Sequence, residues 1–242
     1  MGSTQATSKQ LVSKVLSRAV KLWLRSQVEQ VDALEIKITA NNRDCLTGHI
    51  SEVTVEASRA IYRGLHLSQI ALCGSSIHIN IGQVIKGKPL QLLKRFPIDS
   101  QICMFYDDLS TSCQSLLLLR AISQFLLPLI QSQQAKNPNI SLPNQIQGLQ
   151  NLQITLAKDQ ITLTAEILST DGMLTACVFQ TELYLASPKE LLLVSPRLEL
   201  PLQQQDFDLD DMTLDLGTDV EIEQLNISPE QVEMIGQIWV NP

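Results

Sequence analysis

The sequence predicts an α+β chain in which long curved antiparallel β-meanders wrap over long amphipathic helices, in the order helix, meander, helix, meander. Three observations carry this expectation. Two stretches, Lys9 to Val31 and Leu109 to Ile130, repeat their apolar residues at helical spacing. The segments that follow each of them alternate apolar and polar residues with a period of two. Apolar residues make up 44% of the 242 and aromatics only 4%, so the interior is Leu, Ile and Val, a composition that suits strands and aliphatic seams.

Residues 1–8 are small and polar and are expected to be disordered. In the first helix, at about 100° per residue, Lys14, Arg18, Lys21 and Arg25 fall within a stripe of about 60°. Leu11, Val12, Val15, Leu16, Ala19, Leu22 and Trp23 are assigned to the opposite side, and no acid appears before Glu29. Such a helix either packs its apolar face on a sheet or lies on an anionic membrane with its cations at the headgroups. On the second reading Lys14, Arg18, Lys21, Arg25 and Trp23 are the membrane-contact residues.

The first meander follows. Leu34, Ile36 and Ile38 alternate with polar residues, and His49 to Ala57 repeats the pattern. Leu65 to Leu72, Ser76 to Ile81 and Leu90 to Ile98 complete it, with Gly64, Gly74, Gly82 and Gly87 as punctuation. The second helix opens at Asp107 or Asp108, either of which can cap it, and Pro128 is expected to end or kink it. Its span from Leu116 to Ile130 is too short and too polar to cross a bilayer. It reads as an ordinary core helix or as the wall of an acyl groove lined by Leu116, Leu117, Ile122, Leu126, Leu127 and Ile130. Residues 133–145 read as a loop with two prolines. The second meander runs through Leu152 to Ile167, Leu174 to Ala186, Leu191 to Leu200, two short pieces near 212–222, and Val232 to Val240. Residues 9–242 are thus expected to form one elongated domain with halves 9–106 and 107–242.

The net charge of −7 is unevenly spread. Residues 1–28 carry five cations and no acid, whereas residues 198–242 carry eleven acids and no Lys or Arg. The total excludes general nucleic-acid binding, which needs a broad cationic surface. The basic end suits anionic lipid, or the acidic end as its partner within the chain.

Chemistry-bearing motifs are missing. His49, His66 and His78 are scattered, and no G-x-S-x-G, Walker loop or G-x-G-x-x-G occurs. The run Asp206-Phe207-Asp208-Leu209-Asp210-Asp211 lacks the Gly and distal Glu of a calcium loop, and Asp208 and Asp210 are expected on solvent opposite Phe207 and Leu209. Five cysteines without regular spacing (Cys45, Cys73, Cys103, Cys113 and Cys177) read as free thiols of a reducing compartment. Cations interrupt the N-terminal apolar positions, so no secretory signal is read, and the chain is expected to be cytoplasmic and peripheral to a membrane.

Two blocks carry a family resemblance: residues 12–38, VSKVLSRAVKLWLRSQVEQVDALEIKI, and residues 60–93, AIYRGLHLSQIALCGSSIHINIGQVIKGKPLQLL. With the following DLSTSCQSLLL, they resemble the LmeA-like family of phospholipid-binding proteins, and LWLRSQVEQ with INIGQVIKGKPL resembles its cyanobacterial members. The resemblance runs from about residue 10 to the C-terminus and is clearest in the first half. It implies an elongated β structure similar to the tubular lipid-binding proteins, holding lipid in an apolar groove without catalysis. Mycobacterial relatives are exported, and this sequence departs from them in having no visible signal. The resemblance therefore implies a non-enzymatic phospholipid-binding or lipid-transfer protein at an intracellular membrane face. The alternative is a membrane-docked assembly factor that uses the basic helix to meet a membrane protein complex. No cofactor is expected beyond a bound phospholipid, and no metal.

Overall fold

Among the described residues the period-two segments fold as twelve antiparallel strands, and some of their boundaries differ from expectation. The computed structural model describes residues 16, 18–39, 47–136, 146–201 and 205–242. Lys14, Cys45, the expected disordered residues 1–8 and most of the expected 133–145 loop lie outside the described residues.

Helix α1 (Leu16 and residues 18–27 among those described) precedes β1 (Gln30–Thr39), β2 (His49–Tyr62) and β3 (Leu65–His78). A single helical turn, α2 (Ile81–Val84), leads through an irregular segment to β4 (Phe96–Phe105). Helices α3 (Tyr106–Ser112) and α4 (Leu116–Lys136) follow. Strands β5 (Ile146–Ala157), β6 (Gln160–Ser169), β7 (Leu174–Ser187) and β8 (Glu190–Leu200) form a meander. The chain ends with β9 (Gln205–Asp208), β10 (Met212–Asp215), β11 (Val220–Ile227) and β12 (Gln231–Val240).

The first sheet has the order β1-β2-β3-β4-β12-β11, and the second β10-β8-β7-β6-β5 with β9 also on β8. The architecture is α+β and mostly antiparallel. Its last two strands leave the second meander and extend the first sheet, because β12 pairs along the whole of β4. The division into halves 9–106 and 107–242 is therefore not a division of the sheets.

Each remaining difference traces to a particular contact. The expected strands Leu65 to Leu72 and Ser76 to Ile81 join into one that ends at His78, since Gly74 is not a turn: a Cβ there would sit 3.1 Å from the Phe96 ring and 3.3 Å from Ile77. The fourth strand lies at Phe96–Phe105 and not at Leu90 to Ile98. Its inward residues Ile98 and Ile102 are separated by Ser100, whose hydroxyl donates to the Gly236 carbonyl at 3.0 Å, which hides the alternation. Gly236 is required where it stands, because a Cβ would fall 2.1 Å from the Glu221 carbonyl oxygen opposite the β11 bulge.

The second helix is two helices. Asp108 does not cap the first; its carboxylate accepts the Ser68 hydroxyl at 2.6 Å and ties α3 to β3. Ser112 accepts the His66 N–H at 2.8 Å, and the Ser115 hydroxyl accepts the Leu118 N–H at 3.1 Å, the geometry of a serine cap for α4. Helix α4 then passes through Pro128 to Lys136, because the exposed Gln124 leaves the carbonyl that loses its partner facing solvent. At 21 residues it is long and apolar enough, by length and composition, to cross a membrane, a length the 116–130 reading missed.

Two apolar cores result. Helix α4 covers the second sheet around Leu126, Ile130, Ile167, Phe179 and Leu198. Helix α1 covers the first sheet through Leu16 and Val20, against Ile50, Val53, Val55, Ile77 and Phe96.

Candidate functional site

The inner face of the first sheet is set by its register. Ile38, Val53, Gly74, Ile98 and Ile238 stand in one row across five strands, and Ile36, Val55, Leu72 and Ser100 in the next. Strand alternation sends all of them to one side. On that side α1 buries Leu16 and Val20 and half-buries Ala19, Trp23 and Leu24.

Between helix and sheet lies a cavity of about 60 Å³. Val20, Trp23 and Leu24 roof it, and Val55, Leu72 and Ile98 belong to its floor; the described side chains that line it are aliphatic or aromatic. On the outer side of α1 a second, open cleft of about 500 Å³ lies between the helix and the turn at 84–90, lined by Arg18, Leu22, Ser26 and Lys88. Trp23 and Leu90 line both spaces. The turn is held by buried Asn80, whose side chain donates to the Pro89 carbonyl at 3.1 Å and accepts the Gln91 N–H at 2.8 Å.

The expected membrane-contact residues divide accordingly. Arg18, Lys21 and Arg25 are exposed together on α1, Trp23 is half-buried between cavity and cleft, and Lys14 lies outside the described residues. Leu22, expected on the packed side, is 68% exposed. It sits about 40° from Arg18 on the wheel, so geometry places it among the cations despite its chemistry.

The expected groove residues on α4 also divide. Leu126 and Ile130 are fully buried in the second core, with Phe125 edge-on to Phe179 at 5.5 Å. Leu117, Ile122 and Leu127 are half-buried, and Leu116 is 68% exposed.

A wider hollow of about 760 Å³ lies on the opposite face of the first sheet, where Glu35, Glu56 and Glu233 stand with Gln69 and Gln101 beside apolar residues such as Ile70 and Phe105. Three carboxylates repel a phosphate there, so size does not make it the lipid site.

Among the described residues no group of three or more His, Cys, Asp or Glu could hold a metal. His49 and His78 face each other across β2 and β3 at 4.8 Å. Asp206 and Asp208 lie beside Arg197, at 3.0 and 3.9 Å, and Asp211 accepts the Ser195 N–H at 2.8 Å. Asp208 and Asp210 are exposed while Phe207 and Leu209 pack inward, as the alternation predicts. The four described cysteines are free. Burial pushes the Cys103 and Cys113 thiols up and holds Cys177 at about 11, which makes them poor nucleophiles at neutral pH.

Sequence reasoning missed the 84–90 turn and the floor residues Leu72 and Ile98. A signal for the turn was present: residues 81–95 carry Lys86, Lys88, Lys94 and Arg95 and no acid. No match was found among curated proteins or among solved structures. The sequence model of the LmeA-like phospholipid-binding family matches residues 7–237, nearly the whole chain. The chain belongs to the LmeA-like phospholipid-binding family.

Proposed function

We propose that this chain is a non-catalytic phospholipid carrier that loads at an anionic, intracellular membrane face and holds an acyl chain between α1 and the first sheet. One observation carries the reading: an apolar cavity under α1 adjoins, past Trp23 and Leu90, a cleft lined by Arg18 and Lys88. The two chemistries of a phospholipid, methylenes and phosphate, thus have neighbouring partners. We prefer this seam to the α4 face because Leu126 and Ile130 are closed off by the second core.

At about 60 Å³ the cavity has room for a water-sized group or two, so uptake requires α1 to lift from the sheet. Exposing Leu16 and Val20 costs about 1.5–3 kcal/mol each, whereas each acyl methylene buried in their place contributes about 0.8 kcal/mol. Several methylenes offset the helix contacts, which makes exchange of helix for lipid nearly balanced.

Detergent-free purification followed by lipid extraction and mass spectrometry tests the reading. The expected result is about one phospholipid per chain. Lipid-free native protein would favour the membrane-docked assembly factor, which uses the same helix and carries nothing.

A further inference from the structure

We infer that the 84–90 turn and the exposed side of α1 form one docking face for an anionic phospholipid bilayer, in which Leu22 and Ile85 insert and Arg18, Lys21, Arg25, Lys86 and Lys88 meet phosphates. The inference shares α1 with the carrier reading but concerns the surface on which the protein sits, not what it holds.

Continuity is the first argument. Arg18, Leu22, Trp23 and Ser26 face Val84, Gly87, Lys88, Pro89 and Leu90 across a single cleft, so helix and turn share one rim. The second is charge complementarity. Residues 18–28 and 81–95 hold seven cations and no acid in a chain of net charge −7. Arg95 is committed to Asp219 at 2.7 Å, but Arg18, Lys21, Arg25, Lys86, Lys88 and Lys94 make no ion pair with another described residue. The third is the company these cations keep. Leu22 is 68% and Ile85 51% exposed, and each is flanked by cations in sequence or on the helix face. A solvent-facing side of a soluble protein gains nothing from large aliphatic groups set among cations. An interfacial one gains apolar insertion and electrostatic attraction together.

The turn is built to hold this presentation. The Gln83 carbonyl accepts both the Lys86 and the Lys88 N–H at 3.0 Å, and Gly87 takes a φ of +79°, which turns the chain between the two lysines.

The test is co-sedimentation of the full chain with vesicles of phosphatidylglycerol and phosphatidylcholine, and with phosphatidylcholine alone, at low salt. The native protein is expected to bind the anionic vesicles preferentially. Lys86→Gln with Lys88→Gln should weaken that binding about thirtyfold, at about 1 kcal/mol per cation. Ile85→Ser should weaken binding to the same vesicles about tenfold or more, and salt should not restore it. Both sets of residues are exposed, and an unchanged thermal melt checks the fold. If both turn variants sediment like native protein, or if neutralising Arg18, Lys21 and Arg25 alone accounts for all anionic preference, the inference is overturned. Phospholipid retained by the same preparations separates the two ideas. Native protein that binds vesicles but retains no lipid keeps the docking face and loses the carrier; lipid-bearing protein indifferent to the turn variants does the reverse.

Discussion

The two sheets each carry a helix across their apolar face, and the two seams are built differently. Under α4 the seam is closed: a 21-residue helix with a serine cap meets a core of seventeen buried apolar residues among those described, with Leu126 and Ile130 fully excluded from water. Under α1 the corresponding core counts ten among the described residues, and an apolar cavity remains between helix and sheet. Close packing makes the first seam costly to open, since every lost contact there is unrecovered. The second seam has already given up contacts, and its helix presents cations and Leu22 outward. The comparison separates a helix whose Leu126 and Ile130 are sealed in a core from an amphipathic one with a cavity beneath it, and on the proposed function the second is the helix that exchanges partners.

The sharpest way to break this contrast is truncation in the closed seam. Leu126→Ala should cost about 2–5 kcal/mol in denaturant melts while leaving bound phospholipid unchanged; a small cost with lost lipid would move the lipid site to α4. Next in size is the second sheet's buried thiol. Cys177 is fully buried and its pKa is raised from an ordinary 9.0 to about 11. A group raised on folding contributes its full stability below the unfolded pKa and loses it as pH rises through the folded one. Stability should therefore fall by about 2–3 kcal/mol between pH 9 and pH 11, and Cys177→Ala should flatten that slope in melts across the window.

A third change addresses the open seam. Leu72→Trp places bulk into the cavity floor and should cost only about 1 kcal/mol, below the usual overpacking penalty, while lowering retained phospholipid several-fold. A cost like that of a packed core, with lipid unaffected, would mean the cavity is irrelevant to binding. The smallest effect belongs to the acidic run. Arg197 meets Asp206 at 3.0 Å and Glu199 at 3.4 Å in an exposed cluster, so Arg197→Ala should leave the thermal melt nearly unchanged, with any small difference shrinking further in salt.

Much of this was legible in the sequence where one local rule governed. Clean alternation gave the strands from Leu152 to Ile167, Gly236 argued for a strand over a helix at Val232 to Val240, and helical spacing gave α1 and α4. The family resemblance in residues 12–38 and 60–93 agrees with the family match over residues 7–237. What stayed hidden depended on partners distant in the chain. Ser100 interrupts the apolar pattern of β4 because its hydroxyl serves the Gly236 carbonyl, 136 residues away. Gly74 looks like a turn but leaves room for Phe96. The return of β11 and β12 to the first sheet is a matter of edge pairing, which no local pattern encodes. The apolar stretch Leu116 to Ile130 fits a core helix and a groove wall equally well in sequence, and Leu126 and Ile130 lie in a core.

The position of the acyl chain itself is the most direct measurement. Native protein loaded with a phospholipid bearing a photoactivatable group near the acyl terminus, irradiated and digested, should yield crosslinks at Val20 and Leu24 of α1 and at Leu72 and Ile98 of the first sheet. Crosslinks confined to α4 and the second sheet would contradict the account.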